Sequence, residues 1–382
     1  MTTPIPSPQT PTAVRVPYPG LVDFSTAVFA RLGVPRGPAR AAAEALCYGD
    51  LTGHASHGLA NLTRLYLPLF DSGRVDPRAV PQVVADLGAT VLLDGRRAIG
   101  LWLAGHAMDL AVRRAADHGV GVVSVRGATH FGCAGHHTLR AATHGMVGLL
   151  AGNCGGQRIA RPPGGRLAML GTNPFSVAAP AGAHHPFVLD MSTTAAPTGK
   201  VRAAARDGQP VPVGWLADDH NEPVTDPAAF DRGDAHLLWL GGAGSGAYKG
   251  FGLGLTVEVL AALVSGSASG PGSPALSGAG TPGGRDDDIG FLAVAIAPGL
   301  LRPTDDVDRD AHALFDAVLA CPPTDPAAPV RYPGWYEAEA AVRHRRYGVP
   351  LDASVHGELR TVADRFGLAA PQPYGPDRSG LA

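Results

Sequence analysis

The sequence predicts an α+β fold, with helices from both chain ends forming one subdomain around a central β-rich domain. Three observations predict it. Near the N-terminus, Leu21, Phe24, Val28 and Leu32 recur at close to a 3.6-residue period. Through the middle of the chain, short β-branched and apolar runs replace that period. Beyond about Val307 the helical period returns. Helices at the two ends with strands between them argue for segregated helical and sheet layers.

Along the chain, helices are predicted over Leu21–Leu32, Arg40–Leu51 (opened by Pro38) and about Leu59–Phe70, with the polar turn Thr52–Gly58 before the third. Strands follow at Thr90–Leu93 and Gly121–Val125, flanking an Ala-rich helix over Leu101–His118. Further strands are predicted at Met146–Ala151, Phe175–Ala179, Phe187–Leu189 and Gly290–Ile296. The C-terminal helices are Ala311–Leu319, Glu337–Arg346 and His356–Phe366. The expected organisation is a disordered Pro/Thr-rich tail at 1–18, a helical subdomain from 19–75 plus 305–370, and a β-rich domain at 76–304. Within the last, the low-complexity residues 265–288 read as a flexible, solvated insert.

Composition narrows the class. The 382 residues are 45% hydrophobic and 17% charged, enough apolar material for a sizeable core. A net charge of −2 offers no field for nucleic acid. No apolar run approaches the roughly 18 residues of a membrane span. The four cysteines are scattered, and the N-terminus has no charged-then-apolar leader, so a cytoplasmic protein is expected. Only Lys200 and Lys249 are lysines among 31 basic residues. In so Arg-biased a chain, a retained Lys suggests a place for a compact point charge that guanidinium cannot replace.

Several familiar patterns fail on context. Gly278–Gly283 matches G-x-G-x-x-G, but it lies in the insert, after no strand and before no helix. There is no HExxH, zinc-type Cys/His spacing or GxSxG. The paired histidines at 54/57, 136/137 and 184/185 have no carboxylate or Cys companions at ligand spacing, so no metal is expected. Four other segments point to chemistry. Gly53-His-Ala-Ser-His-Gly58 puts Ser56 and His57 on a turn before a helix, where imidazole can carry a proton near neutral pH. Thr129-His130-Phe-Gly-Cys-Ala-Gly135 follows an apolar strand and is placed to face a crevice. Asn153-Cys-Gly-Gly, Gly171-Thr-Asn-Pro174 and Leu189-Asp-Met-Ser-Thr-Thr194 suit a backbone-lined cleft for a polar ligand. The Gly-rich stretch from Gly241 opens a helix at Lys249, combining free N–H groups, a helix dipole and a cation into an anion site.

The order and wording of GHASHG, THFGCAG, LGTNPF, LDMSTTA, PVGWLADD and GAYKGFGLGL resemble the type-2 malate/L-lactate dehydrogenases over roughly residues 20–368. That family includes ureidoglycolate dehydrogenase, 2,3-diketogulonate reductase and reductases of Δ1-piperideine-2-carboxylate and pyrroline-2-carboxylate. The resemblance implies a non-Rossmann NAD(P)-binding fold with a large, mostly antiparallel sheet, and a homodimer with its active site near the subunit interface. It implies His57 as proton donor with Ser56 beside it, and His130 by the nicotinamide and substrate. Asn153, Thr172, Asn173, Asp190, Ser192, Thr193 and Lys249 would line NADH or NADPH.

Departures from the family bear on the substrate. The Arg that grips a 2-oxo acid carboxylate is replaced by Asn61, and the nearest Arg is Arg64, one helical step on. Thr129 stands where Ser or Asn precedes the second histidine, and Trp335 where a Glu follows Pro-Gly. The family's His and Asp in the Gly290–Pro298 strand are Phe291 and Ala297. These changes predict a less charged or bulkier substrate, hence reduction of a ketone or cyclic imine in a specialised biosynthetic step. The alternatives are a malate- or lactate-type 2-hydroxy-acid dehydrogenase and a catalytically retired nucleotide-binding protein.

Overall fold

A computed structural model describes residues 13–277 and 282–374. In chain order it forms β1 (Val14–Val16), α1 (Tyr18–Arg31), α2 (Arg36–Leu51), α3 (Leu67–Asp71), β2 (Gln82–Asp86), β3 (Thr90–Asp94), α4 (Gly100–His118), β4 (Val120–Ala128), α5 (Ala134–Ala142), β5 (Val147–Gly152), β6 (Phe175–Ala179) and β7 (Phe187–Met191). There follow α6 (Thr198–Arg206), β8 (Leu216–Ala217), β9 (Pro223–Val224), α7 (Ala228–Arg232), β10 (His236–Leu237), α8 (Ala247–Glu258), α9 (Ser273–Leu276), β11 (Ile289–Ile296), α10 (Pro298–Leu301), α11 (Thr304–Leu319), α12 (Trp335–Tyr347), β12 (Val349–Leu351) and α13 (Ala353–Phe366).

The chain divides into a unit of Met1–Gly73 with Tyr336–Ala382 and a unit of Arg74–Trp335. In the first, α1 and α2 pack along the predicted apolar stripe, burying Leu21, Phe24, Val28 and Leu46. Pro17 and Pro35 precede these helices, where a missing N–H costs no intrahelical bond. Strand β1 pairs antiparallel with β12, so the expected disordered tail is corrected from Val14 onward. Alternation is hard to see in three residues, and only the partner strand near the C-terminus satisfies them. Residues 1–12 lie outside the described residues.

The second unit is built on a seven-stranded sheet of order β2-β3-β4-β11-β5-β6-β7. Only β3 and β4 run parallel; every other neighbouring pair is antiparallel. Helix α4 packs against β4 and β11, and α5 against β5 and β6. Their shared core contains Leu103, Met108, Val123, Val125, Leu150 and Phe291. A small sheet of order β10-β8-β9 carries its own cluster around Phe230 and Leu216. The division places α11 with the sheet unit, whereas the expected 305–370 segment had grouped it with the terminal helices. Phe315 of α11 stacks on Phe187 of β7 at 5.8 Å, a contact that helical periodicity alone does not disclose.

The described part of the low-complexity segment makes specific ties to the rest of its unit. Arg74 pairs with Asp286 and Asp287, both at 2.6 Å. Asp288 accepts the N–H groups of Gly127 (2.7 Å) and Ala268 (2.8 Å), and Ala275 is buried. Its small residues let the backbone lie close to the rest of the unit, so three aspartates serve as ties instead of solvated charges. The G-x-G-x-x-G window falls mostly outside the described residues.

Candidate active site

In the first unit, the turn after α2 becomes a single 3-10 turn, Ala55–His57. Ser56 Oγ lies 3.1 Å from His57 Nδ1, and Asn61 Nδ2 donates to Ser56 O at 2.9 Å. Asn61 therefore braces the Ser–His pair from the helix that follows. Arg64 lies in the π-helical turn Leu62–Tyr66. It pairs with Glu358 Oε1 at 3.0 Å, while Thr63 donates to Oε2 of the same carboxylate. That partner lies on α13, where the local sequence hides it.

Beneath the turn lies Asp50, which the sequence reading overlooked. It is buried, and its Oδ2 accepts the Leu59 N–H at 2.6 Å. A Cβ on Gly58 would collide with that carboxyl, so the GHASHG glycine is a packing requirement. Burial pushes the Asp50 carboxyl up to about 7. Between about pH 4 and 7 the folded chain thus holds a proton that the unfolded chain has lost, so this group's contribution to stability falls as pH rises. We expect Asp50→Asn to remove a slope of at most about 1.4 kcal/mol per pH unit. Urea midpoints across pH 5–8 check this, and parallel profiles for the two proteins would reject it.

In the second unit, His130 follows β4, and its Nδ1 accepts the Gly132 N–H at 3.2 Å. Burial lowers its pKa and favours neutral imidazole, with Nε2 carrying the proton. His137 on α5 is held down to about 4 by burial, and its Nε2 donates to Phe131 O at 2.8 Å, fixing the loop. The Thr129 hydroxyl accepts the Gly100 N–H at 2.9 Å and donates to Ala98 O at 3.2 Å, bracing the start of α4. Phe291 and Ala297 are buried in the sheet core, so they carry no information about substrate polarity. Trp335 lies in an aromatic cluster with Tyr332 and His185.

The seven predicted cofactor residues separate by burial. Asn153, Asn173 and Thr193 are buried, around a residue the motifs did not flag, Glu258. Glu258 Oε1 accepts from Asn153 Nδ2 and Gly270 N, both at 3.1 Å, and Oε2 from Asn173 Nδ2 at 2.8 Å. Asn153 Oδ1 accepts the N–H groups of Gly155 (3.1 Å) and Gly290 (2.9 Å), and its Nδ2 also donates to Ala268 O at 2.8 Å. Thr193 donates to Thr172 O and Asn173 O. These bonds form a buried framework that ties Asn153 and Asn173, at the strand ends, to Glu258 of α8. An isolated acid in an apolar helix gives no sequence sign of three buried donors waiting for it.

Thr172, Asp190, Ser192 and Lys249 retain accessible surface. Asp190 Oδ2 accepts the Gly135 N–H at 2.7 Å, at the start of α5. Thr172 Oγ1 lies 3.6 Å from Cys154 Sγ, and Ser192 donates to Thr194 O at 3.1 Å. Lys249 is exposed in the first turn of α8 and makes no ion pair among the described residues. Its helix is drawn in by Gly250 and Gly254, where a Cβ would strike the Leu240 backbone and the Trp239 ring. The four-residue glycine spacing in GAYKGFGLGL is that packed face, and it leaves an unneutralised ammonium beside a helix N-terminus, which fits an anionic nucleotide.

Comparison with known proteins defines the class first: the chain is an NAD(P)-dependent oxidoreductase. Residues 16–360 match the family model described as malate/L-lactate dehydrogenase, and the chain belongs to that family. It is 37% identical to malate dehydrogenase of Pyrococcus horikoshii over 255 residues, 66% of this chain and 69% of the relative. It is 34% identical to the Δ1-pyrroline-2-carboxylate/Δ1-piperideine-2-carboxylate reductase of Pseudomonas putida, over 77% of this chain and 82% of that one. The solved structure of the P. horikoshii malate dehydrogenase superposes with a TM-score of 0.83 at 27% identity, covering 95% of this chain and 99% of the other.

Proposed function

We propose that the chain reduces a ketone or a cyclic imine with NADH or NADPH, and that His57 supplies the proton. The observation that carries this reading is the braced Ser56–His57 pair, held from one side by Asn61 and from below by Asp50. When bound, the nicotinamide supplies the hydride to the carbonyl or imine carbon. His57 gives a proton to the oxygen or nitrogen, and the Ser56 contact at Nδ1, which orients the ring, supports Nε2 as the atom that delivers it. His130 lies by the nicotinamide and substrate, its Nδ1 engaged by the Gly132 N–H, which leaves Nε2 as the atom that carries its proton.

The substrate class rests on the commitments of Asn61 and Arg64. With Asn61 donating to Ser56 and Arg64 paired with Glu358, this helix offers no fork for a carboxylate, which supports a ketone or imine not gripped there. The relatives' names, malate dehydrogenase and Δ1-pyrroline-2-carboxylate/Δ1-piperideine-2-carboxylate reductase, cover both C=O and C=N chemistry. The cofactor is assigned to the surface formed by Thr172, Asp190, Ser192 and Lys249, outside any Rossmann unit. In support, the turn from β3 into α4 reads Gly95-Arg-Arg-Ala-Ile-Gly100 and lacks the phosphate-binding glycine pattern. The working form is proposed to be a cytoplasmic homodimer, with exposed Leu263, Leu301 and Leu314 as apolar surface for a second copy.

Titration with NADH and then NADPH, followed by nicotinamide fluorescence, tests the reading. Wild-type protein is expected to saturate with one preferred nucleotide. Lys249→Arg keeps the charge but is expected to weaken binding by on the order of 10-fold, about 1.4 kcal/mol. Failure of both nucleotides to bind would overturn the reductase, and an unchanged Kd in the variant would remove Lys249 from the phosphate site.

A further inference from the structure

We propose that His184, His312 and Asp316 form a binding site for one divalent transition-metal ion of the zinc type. In the sequence, His184 and His185 stand without a carboxylate or cysteine at ligand spacing, which predicts no metal. The fold brings the missing partners from 128 residues further along the chain. His312 and Asp316 are one turn apart on α11, on one face of the helix. They meet His184 of the turn between β6 and β7, and one ligand atom from each of the three lies within 4.8 Å of the others.

Two independent features set this cluster apart from a chance meeting of polar groups. His184 Nε2 is buried and has no hydrogen-bond partner among the described residues. It stands 3.6 Å from Asp316 Oδ1, beyond hydrogen-bond range. A polar nitrogen taken out of water without a partner is costly, and an ion between it and the carboxylate would satisfy both. The second feature is the fixed geometry around it. The rings of His184 and His312 lie 4.8 Å apart and within 15° of parallel, and Trp335 lies 6.3 Å from His184.

The supporting elements are locked together by Phe187 on Phe315 (5.8 Å) and Phe315 on Tyr332 (4.6 Å). Gly182, at φ 62°, lets the turn approach α11, since a Cβ there would sit 2.6 Å from His312 Cβ. Two imidazole nitrogens and one carboxylate oxygen form a donor set that suits zinc-type ions rather than magnesium or calcium. Bonds of about 2.1 Å need ligand atoms roughly 3.3 Å apart, which torsions of the exposed His312 and Asp316 side chains can reach. Three protein ligands leave a coordination position for water. The ion would clip α11 to the turn leading into β7, so binding would favour the folded chain. None of the three ligands is among the residues assigned to the proton or the nucleotide.

The test uses the full chain, stripped with a chelator and equilibrated with ZnCl2, with zinc per chain measured after dialysis and Tm measured with and without the metal. We expect one saturable zinc per chain and a raised Tm. His312→Ala and Asp316→Ala, both at exposed positions, should each weaken zinc binding by about 10-fold or more and cancel the Tm rise. Absence of stoichiometric zinc on the wild type would overturn the proposal. So would unchanged affinity and an unchanged Tm rise in both variants, which would place the ion among other members of the chain's 15 histidines.

Discussion

Replacing His57 with Asn is expected to lower kcat by about 10²–10⁴-fold while leaving nucleotide affinity and Tm close to wild type. Asn keeps a polar group beside Ser56 but cannot deliver a proton. The turn should survive, because Asn61 holds Ser56 through its backbone carbonyl and Asp50 holds Leu59 through its N–H. Neither brace uses the His57 side chain. Single-turnover reduction with the preferred nucleotide separates the proton-dependent step from binding, and near-normal turnover in the variant would sink the role given to His57. If the substrate is an imine that arrives already protonated, the loss should fall at the low end of the range.

The largest stability effect is expected at Glu258. Glu258→Gln keeps the shape but turns one of two acceptor oxygens into a donor, facing Asn153 Nδ2, Asn173 Nδ2 and Gly270 N–H. At least one buried donor then loses its partner and meets another donor. A broken buried charge-assisted network costs about 3–5 kcal/mol. For a unit the size of Arg74–Trp335, at about 2–4 °C per kcal/mol, Tm should fall by roughly 10 °C. Nucleotide affinity should weaken in parallel, because Glu258 fixes the helix that presents Lys249. Urea unfolding measures the first effect and the fluorescence titration the second. A stability change under 1 kcal/mol would show that the amide–carboxylate framework does not hold α8 in place.

The two predictions differ in how visible their residues are in the sequence. His57 stands in a motif whose composition announces its chemistry: two histidines and a serine between glycines, directly before a helix. Lys249 is visible for another reason, as one of two lysines in an Arg-biased chain. Glu258 and Asp50 are invisible by the same standards. Each is a single acid on a helix, and what sets it apart is the set of N–H groups that the fold closes around it. Asn153, Asn173 and Thr193 were legible as important but their framework bonds were not, because small polar residues serve equally to bind a ligand and to fasten strand ends.

By itself the sequence determined the main helices at both ends and the central strands between them, since periodicity is a local property of side-chain spacing. It also determined the family, through six ordered motifs, and marked His57 and Lys249 within them as candidates for the proton and the cation. Tertiary structure decided what each polar side chain does with its hydrogen bonds. Arg64 goes to Glu358, Thr129 to the start of α4, and Asp286, Asp287 and Asp288 to ties that hold a segment with the composition of a loose linker. It also decided that α11 belongs with the sheet and that His184 meets His312 and Asp316. These outcomes depend on partners tens to hundreds of residues away. A side chain's hydrogen-bonding capacity is written in its type, whereas the group that uses it is set only when distant backbone arrives within about 3 Å.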